Sequence, residues 1–149
     1  MTRVHAALAL ALVACPASEV CEEDPRAQVL DRIALTIGPA SGEQVIEAEL
    51  AASATERERG WKHRRCDLDA LVLLADSPGS ELPVWGCALT QPIDVWFVAA
   101  GVVVESGQLE PCAEPCGGCP RLGEGLEVDA LLEAPRGELE LALGDGVRW

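Results

Sequence analysis

Seven cysteines in 149 residues constrain this chain more than any other feature. Three of them, Cys112, Cys116 and Cys119, lie within residues 106–126 among five glycines and three prolines. Such a segment has no periodicity from which a helix or strand could order itself, so it needs cross-links to keep a shape. Thiols in this number oxidise in exported proteins and stay reduced in the cytosol. The cysteines therefore predict a disulfide framework and an oxidising compartment.

The N-terminus predicts the same address. Arg3 precedes an apolar stretch from Ala6 to Ala14, the layout of a secretory signal. It ends in Leu12-Val13-Ala14-Cys15, which resembles a bacterial lipobox. Residues 1–14 are thus expected to be removed as a lipoprotein signal peptide, with the lipid on Cys15. The expected location is the cell envelope, as a periplasm-facing lipoprotein of the outer membrane. Setting Cys15 aside leaves Cys21, Cys66, Cys87, Cys112, Cys116 and Cys119, an even set that allows three disulfides in any of 15 pairings.

Residues 15–44 are expected to be a tether or a short helical lead-in. Glu22-Glu23-Asp24-Pro25 suits a helix start, and Val29, Leu30, Ile33 and Ile37 would then share one apolar stripe. The domain proper is expected over 45–149. Ile46, Ala48 and Leu50 alternate with Val45, Glu47 and Glu49, which predicts a strand with a polar outer face. Ser53-Ala54-Thr55-Glu56 and Thr55-Glu56-Arg57-Glu58 are overlapping capping boxes for a short helix ending near Gly60. Leu71 to Leu74, Ile93 to Val98 and Val102 to Glu105 read as strands, the last two joined by a tight turn at Ala99-Ala100-Gly101. Leu131-Leu132 continues the sheet, and Glu138 to Leu143 alternates like a further strand.

Acids exceed bases by 25 to 11, a net charge of −14. That field repels phosphate backbones, so no nucleic-acid partner is expected, and contact with a membrane is expected through the lipid alone.

From Gly60 onward the chain resembles a known family. Gly60 and Arg64 match a Gly-Leu-Met-x-Arg motif, Leu71 to Leu74 a following strand, and Trp85 a Trp-Met-Lys-Asn-Thr segment. Pro92-Ile93-Asp94 matches Pro-Leu-Asp, Gly101 to Val104 a turn and strand, and Pro111-Cys112 with Cys119-Pro120 a Pro-Cys…Cys-Pro loop. Leu131-Leu132-Glu133 and Gly144-Asp145-Gly146-Val147 match the closing motifs. The order is that of the domain of unknown function 192 (DUF192), over residues 45–147. The resemblance implies a mostly β (α+β) fold, a compact, partly closed barrel-like sheet with one or two short helices. It implies no reaction. The chain also departs from the family: Gly86, Cys87, Ala88 and Leu89 replace Met-Lys-Asn-Thr, and Trp61-Lys62 replaces Leu-Met.

These residues favour a non-catalytic module that binds a protein partner or small ligand over an enzyme. Asp94, inside an apolar strand, must find a partner or shift its pKa. The expected partner is Arg64, in a structural ion pair; the enzymatic alternative makes Asp94 a functional acid. A metal or thiol-redox role for Cys112, Cys116 and Cys119 with Cys87 is the other alternative. Disulfides are preferred to it, so neither metal nor cofactor is expected. Trp85 is a possible ligand-facing residue, although aromatic residues more often fill a core.

Overall fold

The computed structural model describes residues 21–149; the expected signal peptide and Cys15 lie outside them. Eleven strands and one α-helix follow in order. Seven strands close a barrel: β1 (Asp31–Gly38), β2 (Gln44–Ala51), β3 (Leu71–Leu74), β6 (Ile93–Ala99), β7 (Val102–Leu109), β10 (Ala130–Pro135) and β11 (Gly146–Arg148). Round the barrel the order is β1-β11-β7-β6-β10-β3-β2, and β2 returns to β1. The sheet thus closes fully. Every neighbouring pair is antiparallel except β2 and β3.

That parallel pair shapes the molecule, because parallel neighbours cannot be joined by a hairpin. Residues 52–70 make the crossover and carry α1 (Ala54–Arg59) over the outside of the barrel. Ser53 caps α1: its side chain accepts from the Glu56 N–H, while Glu56 accepts from the Ser53 N–H at 2.7 Å. Two small ribbons add to this outer layer: β4 (Ser80–Glu81) with β9 (Glu127–Val128), and β5 (Val84–Trp85) with β8 (Arg121–Leu122). Among the described residues no helix is long and apolar enough to cross a membrane.

Two apolar layers result. All seven barrel strands contribute to the first, including Leu35, Ala48, Val72, Trp96, Val103, Leu132 and Val147, which places it in the barrel lumen. The second uses the opposite faces of β2, β3, β6, β7 and β10, through Ala51, Leu71, Leu73, Ile93, Val95, Phe97, Leu109 and Leu131. It packs them against Leu30, Trp61, Val84 and Val128. Successive residues of β6 alternate between the layers, as strand geometry requires.

Three expectations are corrected. Residues 31–38 are neither tether nor helix but a barrel strand, hydrogen-bonded to β2 and β11. The stripe Ile33 and Ile37 fits a period of two as well as one of four, and Leu35 between them completes the inward face. Glu49 is not on a polar outer face; it is 4 % exposed, because the crossover covers β2 there. Glu138–Leu143 is not a strand. It crosses the barrel end with Leu139 and Leu141 packed on the lumen layer, and the Leu141 carbonyl accepts from Trp96 Nε1 at 3.2 Å. Its alternation records one wet and one dry side, without a ladder partner.

The tight turn between β6 and β7 forms as expected. Ala100 and Gly101 both have positive φ, 49° and 74°, as a two-residue hairpin turn of the primed type demands.

Candidate functional site

A cavity of about 170 Å³ lies between the outer wall of the barrel and the layer that covers it. Leu73 on β3, Ile93 on β6 and Glu133 on β10 come from the barrel side, and residues 57–62 of the crossover form another wall. Leu82, Val84, Trp85, Cys87 and Leu89 complete the lining. The walls are mostly apolar, and the charged lining residues besides Glu133 are Arg57, whose side chain is nearly buried, and Glu58, Arg59 and Lys62.

Glu133 is the unusual member. Its register partners are Leu71 and Val95, so its side chain shares their face and points into the outer layer. It is 5 % exposed, and among the described residues no cation or hydrogen-bond donor meets its carboxyl. Burial alone pushes the Glu133 carboxyl up to about 8, because water no longer solvates the charged form. At neutral pH it is largely a carboxylic acid, able both to donate and to accept a hydrogen bond.

The wall beside it is tightly fixed. Trp61 is 2 % exposed and donates from Nε1 to Glu49 Oε2 at 3.1 Å. Glu49 Oε1 accepts from Arg64 at 2.7 Å. Arg64 also donates to the carbonyls of Cys66 and Gln28, each at 2.9 Å, and lies 3.0 Å from Glu23. The guanidinium thus uses most of its donor fork in a buried setting. Burial draws the Glu23 carboxyl upward, but backbone N–H groups of Arg65, Cys66 and Asp24, with the Arg64 charge, hold it below its ordinary value.

Trp85 also lines the cavity. Lys62 lies over its ring at 5.5 Å and Arg121 at 5.0 Å, both within cation–π range.

The expected pair of Asp94 and Arg64 does not form. Arg64 sits on the crossover, outside the barrel wall. Asp94 shares its sheet face with Trp96 and lies at the barrel end, where Gln108 Nε2 donates to it at 2.8 Å and the Gly137 N–H at 2.9 Å. Both residues match family motifs, but motif order does not imply contact. Sequence reasoning found Asp94 and missed Glu133, although Glu133 was in view as the acid ending an apolar strand. The signal was a lone carboxylate flanked by Leu131-Leu132 and Ala134.

All six described cysteines are paired: Cys21 with Cys66, Cys87 with Cys116, and Cys112 with Cys119. The three loop cysteines are thus all in disulfides, and among the described residues no group of three His, Cys, Asp or Glu is placed to hold a metal ion. Cys87 lies beside a close approach of two backbones. A Cβ on Gly86 would lie 1.9 Å from the Glu110 carbonyl oxygen. The Cys112 N–H donates to Gly86 O and the Ala88 N–H to Cys112 O, each at 2.8 Å.

The model of the family DUF192, described as an uncharacterized ACR, matches residues 36–149. The chain belongs to DUF192. The match starts within β1, upstream of the boundary expected at residue 45, in keeping with the place of that strand in the barrel. No curated protein matches the chain. Two solved structures share the fold. One is a "putative transcription regulator" of Sinorhizobium meliloti 1021, 20 % identical, with a TM-score of 0.68 over 80 % of this chain and 94 % of that one. The other is a protein of unknown function from Novosphingobium aromaticivorans DSM 12444, 22 % identical, with a TM-score of 0.68 over 89 % of this chain and 94 % of that one.

Proposed function

We propose that this DUF192 protein is an exported, non-catalytic binding module, held to a bacterial cell envelope by a lipid on Cys15, which takes a small ligand into the cavity over Glu133. One observation carries the binding reading: a carboxyl only 5 % exposed, with no hydrogen-bond partner among the described residues, bordering an apolar cavity. Such a group is poorly solvated in an apolar setting, and a ligand that hydrogen-bonds to it from the cavity recovers part of that cost. The lining contains no histidine, no serine and no free thiol, which supports binding over catalysis by a hydroxyl or thiol nucleophile.

The three disulfides fit an oxidising, extracytoplasmic environment. Lipid on Cys15 would leave five residues before Cys21, a leash of about 20 Å at full extension. Because Cys21 is bonded to Cys66, the crossover side of the barrel would stay close to the membrane. No nucleic acid enters this reading.

Trp61 and Trp85 in the lining make the test direct. Indole fluorescence of the oxidised protein, titrated with a library of single-ring and short-chain fragments, is expected to show saturable binding. Leu73→Trp, which fills the cavity from β3, is expected to abolish it while circular dichroism confirms the fold. Absence of any saturable fragment, or binding that survives Leu73→Trp, overturns the binding reading. Anchoring is tested apart from it: Cys15→Ser is expected to move the protein from the membrane to the soluble fraction.

A further inference from the structure

We infer that the cavity is built for a small monoanion: an apolar body of about one ring, a neutral hydrogen-bonding group at its inner end on Glu133, and a carboxylate at its outer end facing Lys62 and Arg59. This rests on the binding reading above and adds the ligand's class and direction.

Size comes first. A cavity of about 170 Å³ is close to the roughly 150 Å³ that holds a benzene molecule, and well below the ~300 Å³ where drug-sized pockets begin. The body of the ligand is therefore limited to about a single ring or a short branched chain, matching the apolar walls of Trp61, Leu73, Val84 and Ile93.

Charge sets the direction. The chain carries −14 overall, yet the mouth reverses that sign. Arg57 is engaged with Asp76 and with the Ala52 carbonyl. Glu58 is the one acid lining the mouth; against it stand Arg59 and Lys62, with Arg121 beside Trp85. Lys62 is the only lysine of the chain, and its ammonium lies over the Trp85 ring at 5.5 Å. An outer carboxylate meets opposite charge there, and an outer ammonium meets like charge.

The inner end follows from Glu133. A second anion beside a buried carboxyl would force one of the two to hold a proton. A hydroxyl or amide there can both give and take a hydrogen bond, so it satisfies the carboxyl without adding charge.

Five probes separate the alternatives on the oxidised protein at pH 7: 4-hydroxybenzoate, 4-hydroxybenzylamine, 4-methylbenzoate, 4-(aminomethyl)benzoate and the uncharged 4-hydroxybenzyl alcohol. The expected order puts 4-hydroxybenzoate first, at least 10-fold tighter than 4-hydroxybenzylamine, which carries the wrong outer charge. It also binds several-fold tighter than 4-methylbenzoate, which lacks the inner hydrogen bond. Lys62→Gln is expected to weaken 4-hydroxybenzoate several-fold and to leave 4-hydroxybenzyl alcohol unchanged. Glu133→Gln keeps a donor and an acceptor and is expected to preserve 4-hydroxybenzoate binding within about 3-fold. Tightest binding by 4-(aminomethyl)benzoate, abolished in Glu133→Gln, would show a cation on Glu133 and overturn this inference while sparing the binding reading. Preference for 4-hydroxybenzylamine would overturn it likewise. No saturable binding by these probes, or by any fragment of the library, overturns both.

Discussion

Glu49 and Glu133 stand in one row of the sheet, each in register with Leu71, and among the described residues only Glu49 has a hydrogen-bond partner. Glu49 lies beside Leu71 from β2, and Glu133 lies beside it from β10. Both side chains therefore share the outer face of the barrel and are almost wholly buried. The crossover delivers Arg64 and Trp61 to Glu49 and delivers no donor to Glu133. One carboxylate fixes the wall of the cavity, and the other remains available to whatever enters it.

That asymmetry predicts a pH dependence of stability. The Glu133 carboxyl titrates near 8 in the fold and near 4.3 when unfolded. Between those values the native state holds a proton that the unfolded state has lost, so stability falls as pH rises. The Glu133 contribution has a limiting slope of about 1.4 kcal/mol per pH unit and flattens above pH 8. Glu133→Gln is expected to remove this slope and to exceed the wild type in melting temperature at pH 8–9. Melting curves from pH 5 to 9 check it; a wild-type slope unchanged in Glu133→Gln would refute the assignment. Below pH 4.5 the sign reverses. Glu23 and Glu56 lie below their ordinary value in the fold, so the stability they contribute is lost as pH falls through their folded values.

Arg64 is expected to be the costliest single ion to remove. Arg64→Met leaves Glu49 buried, with only the Trp61 N–H to satisfy it. Breaking a buried pair from one side costs about 3–5 kcal/mol. The double variant Arg64→Met with Glu49→Leu is expected to regain much of that loss, because the stranded charge goes with its partner. Urea denaturation of the single and double variants measures it. A double variant no more stable than Arg64→Met would show that the carbonyl contacts of Arg64, and not its charge pairing, hold the crossover.

The barrel was legible because its strands carry their own signals. The apolar run Leu71 to Leu74, the alternation through Ile93 to Phe97 and the Ala100-Gly101 turn each depend on residues near in sequence. β1 was harder, since Ile33 and Ile37 fit a helix as well as a strand and its neighbour β11 lies at the far end of the chain. The site was least legible. Whether Glu49 or Glu133 is buried depends on what the crossover covers. Whether Asp94 meets Arg64 depends on which face of a closed barrel each occupies, and that is a property of closure, not of local pattern.

Gly86 sits at a close approach of two backbones. With no Cβ it lets the Glu110 carbonyl approach, and that oxygen has no flexible side chain that could yield. Gly86→Ala is expected to destabilise by roughly 1–3 kcal/mol, the range for overpacking. Gly117→Ala, where a Cβ meets nothing within 4 Å, is the control and is expected to shift the midpoint by less than about 0.5 kcal/mol. Equal effects at the two positions would remove the steric account.

The three disulfides are expected to differ in worth according to the loops they close. Cys21–Cys66 spans 45 residues, Cys87–Cys116 spans 29 and Cys112–Cys119 spans 7. Chain entropy assigns them about 4, about 3.6 and about 2.4 kcal/mol, in that order. Local structure modifies the ranking. Cys21–Cys66 binds one end of the described chain to the crossover, and Glu23 beside it already accepts from the N–H groups of Arg65 and Cys66, so part of that closure survives without the bond. Cys87 lies in the cavity lining and beside the Gly86 crossing, so its loss loosens the site as well as the loop. Cys87→Ser with Cys116→Ser is therefore expected to lower the melting temperature at least as much as Cys21→Ser with Cys66→Ser, and to weaken ligand binding where the latter does not. Melting curves and fragment titrations on the two double variants measure both effects. Weaker binding in the Cys21/Cys66 variant alone would place control of the cavity in the crossover and its Arg64 contacts, and not in the cross-linked loop.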